Sequence, residues 1–165
     1  MSARGVLYVH SAPAALCPHV EWAVAGVVGV PVKLDWVAQP VAPGNHRAEL
    51  NWQGKPGTAG AVASALNAWQ RLRFEVTEDA SPGCDGVRYS YTPTLGVFTA
   101  VTSAAGEVLV PEGRLRAAME TAAAGGDGDL AAELDRLTGR AWDEELEPFR
   151  YAGDGAPVRW LHAVG

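Results

Sequence analysis

A chain of 165 residues, 48% hydrophobic and 19% charged, has enough apolar surface for one packed core and falls outside the composition of disordered chains. Its net charge of -6, with 13 basic residues scattered along it, argues against the clustered cations of a general nucleic-acid binder. No apolar run approaches the roughly 20 residues of a membrane span, and the start MSARGVLYVHSAP lacks the plan of a secretory signal. The expectation is a cytoplasmic single domain over 1–165 with Cys17 and Cys84 as free thiols and no membrane partner.

Arg4 to His10 reads as an apolar strand. Val20, Val24, Val27 and Val28 then recur at i, i+4, i+7, i+8, which predicts a helix over Pro18 to Val28. Pro31 to Trp36 reads as a short strand, a Pro/Gly-rich loop runs to Asn45, and Arg47 to Trp52 alternates as a half-buried strand does. After the turn GKPGT, Thr58 opens a helix faced by Val62, Leu66 and Trp69, and Leu72 to Val76 returns as a strand. The order βαββαβ predicts an α+β fold with a ferredoxin-like core over 1–77. Additional antiparallel strands are expected over 87–110, helices over 111–147, and a C-terminal docking segment over 148–165.

That topology gathers His10, Ser11, Cys17, His19 and His46 at one end of the sheet and Lys55, Thr58 and Cys84 at the other, which makes a Cys17 to Cys84 bridge improbable. His10, Cys17, His19 and His46 are all metal-ligand types, although Cys-x-His lacks the paired knuckle of strong zinc motifs. Cys17 at a helix start is also a candidate nucleophile with His10 or His19 as base, and no third orienting residue is visible. The same five residues (His10, Ser11, Cys17, His19, His46) are candidates to hold a small anionic ligand at free helical N–H groups. In the structural reading, Cys17 and His19 simply flank Pro18 in the favoured first turn of a helix. No cofactor is implied. GKPGT resembles a phosphate loop only loosely, because its lysine precedes the second glycine, so a tight turn is preferred. LYVHSA has an exposed-aromatic look, but RAELNW lacks the stacking pattern of an RNA-binding sheet, and no nucleic-acid partner is expected.

The end of the chain, WDEELEPFRYAGDGAPVRWLHAVG, has Trp142, Leu146 and Phe149 at i, i+4, i+7 among four acidic residues. One reading is an acidic helix docked by its aromatics. The other is a surface for a protein partner, with Trp142, Phe149, Arg150, Tyr151, Arg159 and Trp160 as anchors and Phe149 and Trp160 exposed. GDGAP lets VRWLHAV fold back as a strand or lie on the core; a return would bring His162 to the His10 end, and no sequence feature places it.

RGVLYVHSAPAALCPHVEWAVAGV, LRFEVTED and WDEELEPFRYAGDGAPVRWLH together resemble, along the whole chain, an actinobacterial family of uncharacterised proteins, domain-of-unknown-function family 3145. The resemblance implies an accessory role beside type II fatty-acid synthesis and assigns no catalytic or ligand residue. The function expected is therefore an accessory or regulatory protein that binds a protein partner, plausibly a fatty-acid-synthesis component. The alternatives are a metal- or thiol-dependent enzyme, or a small-anion binder, built at the His10 end.

Overall fold

In the computed structural model, which describes residues 1–125 and 129–151, the opening apolar run forms a long strand, β1 (Ala3–Pro13). Leu7 and Val9 are buried on one face of it, Tyr8 and His10 on the other, so both faces of the sheet are covered here. A bulge after Val9 shifts the register and returns Ala12 to the first face. A 3-10 turn (Ala14–Leu16) leads into α1 (Cys17–Val28). Pro18 sits in the first turn of α1, where its missing N–H has no helical partner to lose, and Gly29 ends the helix at φ 78°.

The strand expected over Pro31 to Trp36 is not formed; β2 is only Val37–Ala38. Residues 31–36 instead hang from α1, because Glu21 accepts hydrogen bonds from the Leu34 amide (2.9 Å) and the Trp36 indole (3.1 Å). A side chain there does the work of a strand ladder, which apolar patterning does not reveal. Then follow β3 (Asn45–Gly54), α2 (Thr58–Leu66), β4 (Arg73–Glu78), β5 (Gly86–Thr92), β6 (Gly96–Thr102) and β7 (Val108–Leu109). Three helices close the described chain: α3 (Glu112–Ala123), α4 (Leu130–Thr138) and α5 (Arg140–Arg150).

All strand pairs are antiparallel, in the order β2-β3-β1-β4-β5-β6-β7. The described residues form a mixed α/β structure with a seven-stranded antiparallel sheet and five α-helices. On the first face, Val20 and Val24 of α1 and Val62 and Leu66 of α2 pack over Leu7, Val9, Phe74 and Val76. Each such burial contributes roughly 1.5–3 kcal/mol. On the second face, α5 lies on β1 and β5 and buries Leu146 and Phe149. Gly139 turns the chain from α4 to α5 at φ 76°, and a Cβ there would fall 2.5 Å from the Phe98 ring. Among the described residues no helix is long and apolar enough to cross a membrane.

Candidate functional site

The sheet splits the cluster of residues gathered at the His10 end. His46 pairs with Ala12 at the end of β1, and Ser11 accepts a hydrogen bond from Asn45 at 2.7 Å, so these residues share one end. His10, however, projects from the second face while Cys17 and His19 belong to the helix layer on the first. Among the described residues, no group of three or more His, Cys, Asp or Glu side chains is placed to hold a metal. The Cys17 thiol is buried and donates to the Pro13 carbonyl at 3.6 Å. Burial, and next the charge of Glu21, push its pKa up, the opposite of an activated nucleophile. His19 is exposed, its ring 6.2 Å from that of Trp69, which leaves it without His10 at the start of α1. Cys84 is exposed, and both cysteines are free.

His10 instead enters a buried polar cluster that only the fold assembles. Glu75 is 0% exposed at the middle of the sheet and accepts four hydrogen bonds, which fills the acceptor capacity of a carboxylate. They come from His10 Nε2 (2.8 Å), Ser90 Oγ (2.8 Å), Arg150 Nε (2.9 Å) and Arg150 Nη2 (2.5 Å). Arg150 also reaches Asp143 at 2.9 Å, and Gln39 donates to the His10 carbonyl at 2.7 Å. Burial alone drives the Glu75 pKa up, but His10 and then Arg150 outweigh it, and the group is held well below the carboxylate range. The arrangement is that of a fastener between α5 and the central strands. Glu75 was visible in LRFEVTED as a charge at the middle of an apolar strand; its partner 75 residues later was not.

The remaining candidates fall into place by the same accounting of donors and acceptors. At GKPGT, the amides of Gly57 (2.9 Å) and Ala59 (3.1 Å) point at the Glu78 carboxylate, so the start of α2 already holds an anion from its own chain. Of the C-terminal set, Phe149 and Arg150 are buried, which corrects the expectation of an exposed Phe149: its ring lies beneath the Arg73 guanidinium, 4.6 Å from the centroid. Trp142 donates its indole N–H to Gly96 at 2.9 Å and packs on Phe98, while Tyr151 is exposed. Arg159, Trp160, His162 and the segment VRWLHAV lie outside the described residues.

A different surface stands out. Trp22 on α1 is 75% exposed, on a helix whose inward face (Val20, Ala23, Val24) is fully in the core. Around it, Cys17 to Val32 holds a single charge, Glu21, and Thr58 to Gln70 holds none. Residues 1–100 contain seven basic and seven acidic residues, whereas 101–165 contain six and twelve, so all the net charge lies in the second portion. The outer face of α1 and α2 therefore carries one helical charge, Glu21, which is paired with the exposed Lys33 at 3.6 Å, beside a protruding indole, on the opposite side of the sheet from the acidic α5.

No curated protein and no solved structure matches the chain. A family model described as "Protein of unknown function (DUF3145)" matches residues 6–163, nearly the whole length. The chain is thus a member of the DUF3145 family.

Proposed function

We propose that this protein is a binding module that docks a protein partner on the outer face of α1 and α2, with Trp22 as the anchor. The observation that carries the reading is the exposure of Trp22 on a helical face whose one charge, Glu21, is paired with Lys33. Interface cores are depleted of charge, and tryptophan is among the residues that dominate their energetics. The partner surface expected at the C-terminus moves to α1 because Phe149 and Arg150 are spent inside the fold. The order β2-β3-β1-β4 with α1 and α2 on one face supports reading the first four strands as a ferredoxin-like unit. Two free thiols support the cytoplasmic reading.

The test places a photo-crosslinking amino acid at Gly26, one turn from Trp22 and with open space above it, in cells and with purified fatty-acid-synthesis proteins, the partners implied by the sequence resemblance. A discrete adduct is expected from Gly26, lost with Trp22→Ala and absent when the crosslinker stands at Glu147 on α5. The affinity of the purified pair should fall by about thirtyfold or more in Trp22→Ala, the loss typical of a hot spot. Adducts indifferent to Trp22 would refute the surface.

A further inference from the structure

One side of the sheet ends on an open edge. β7 pairs only with Val101 and Thr102 of β6, so the outer side of β6 from Gly96 to Ala100 has no neighbouring strand among the described residues. Hydrogen-bonded pairs alternate along an antiparallel ladder, and the Ser103 amide donates to the Glu107 carbonyl at 2.9 Å, which puts Val101, Thr99 and Val97 in the same bonding phase. The N–H and C=O groups of Val97 and Thr99 therefore point outward, and among the described residues nothing bonds them there. The ladder stops for a chemical reason. Its next bonded pair would set Thr99 against Pro111, which has no N–H to give, and Glu112 already starts α3.

Folds usually guard such an edge with charge, proline or a bulge. β3, one strand in from the opposite edge, carries Arg47 and Glu49, whereas β6 has no charged residue. Val97 is 39% exposed, and Leu109, opposite Val101 and hence on the same face, is 45% exposed. Where β7 stops, a groove of about 220 Å³ opens, with Thr99, Val110, Pro111, Arg114 and Leu137 among its walls. That is smaller than the roughly 300–1,000 Å³ of small-molecule pockets and suits a side chain. Arg114 is the one charged residue lining it, is exposed, and makes no ion pair among the described residues. We propose that this edge takes an extended peptide segment of a partner, added antiparallel to β6, with an acidic side chain at Arg114 followed by an apolar one over Val97. Main-chain bonds to Val97 and Thr99 supply affinity, and the groove and the exposed apolar face supply selectivity, as in other strand additions. The edge is separate from the Trp22 surface and does not depend on it.

The test selects short peptides from a random display library on the full chain and titrates the strongest of them, synthesised with a capped amino terminus and a fluorophore. Selected peptides are expected to share apolar residues at alternate positions with an acidic residue ahead of them. N-methylation of the alternate peptide amides that face β6 should weaken binding about tenfold or more, and methylation of the other set should not. Arg114→Glu should weaken it about tenfold. Amide exchange at Val97 and Thr99, fast in the free protein, should slow at least about tenfold with peptide bound. No enrichment, methylated sets that behave alike, Val97 and Thr99 amides unprotected in the complex, or binding lost in Trp22→Ala each overturns the proposal. So does self-association of the chain that Thr99→Pro abolishes, which would give the edge to a second copy.

Discussion

At the residue scale, the fold turns on Glu75. Because all four of its acceptor positions are filled, removing Arg150 strands a buried carboxylate, and Arg150→Met should cost about 3–5 kcal/mol in urea unfolding. Glu75→Leu combined with Arg150→Met should recover most of that loss, as apolar replacements of whole buried pairs often do. A single-variant loss below about 1 kcal/mol would show that the pair is dispensable. The same group sets acid behaviour. Its folded pKa lies below the ordinary 4.5, so its contribution is complete above that pH and drains away as the pH falls below it. Glu21, also lowered, chiefly by the Leu34 amide, titrates in the same window. Stability measured from pH 7 downwards should therefore be level to about pH 5 and then drop, and Glu75→Gln should flatten part of that limb. The thiols should separate as sharply: a disulfide-exchange reagent should modify exposed Cys84 quickly in the native protein and Cys17 only on unfolding. Equal rates would contradict the burial of Cys17.

At the element scale, α2 has nine residues, no charged side chain and a glycine before it, a weak helix by itself. Glu78, from β4, supplies the anion at its start, and Glu78→Ala should cost about 1–2 kcal/mol, visible as a lower urea midpoint with an unchanged slope. An unaltered midpoint would mean that water serves the Gly57 and Ala59 amides equally well. The bounds of α1 were legible, because Pro18 and the turn beyond Val28 act locally, whereas α2 stops at Leu66, short of the Trp69 that the apolar spacing had included. The segment at Pro31 to Trp36 was misread because its order comes from Glu21, ten or more residues earlier. Apolar residues near a proline look the same whether a strand ladder or a remote carboxylate holds them. The gathering of Ser11 and His46 at one end was readable from strand order, whereas the side of the sheet taken by His10 depended on the pleat and on α5.

At the scale of the whole molecule, charge is sorted along the chain: α1 and α2 carry one charged residue, Glu21, paired with Lys33, and the excess acid belongs to the residues beyond 100. Partner binding at Trp22 should then vary little with ionic strength, and a Kd that weakened steeply with added salt would point to the acidic portion instead. Trp22 was in plain view in the sequence, and the stripe of Val20, Val24, Val27 and Val28 leaves it on the opposite side of α1, where the structure exposes it. The tie between Glu75 and Arg150 also has a bearing on synthesis. A ribosome releases the seven strands before it releases residue 150, so the growing chain carries Glu75 at the sheet's centre with its main cation still unmade. Completion of the native sheet is thereby deferred until the last described helix is out, and nascent chains arrested before Arg150 should remain protease-sensitive when those arrested well beyond it are not.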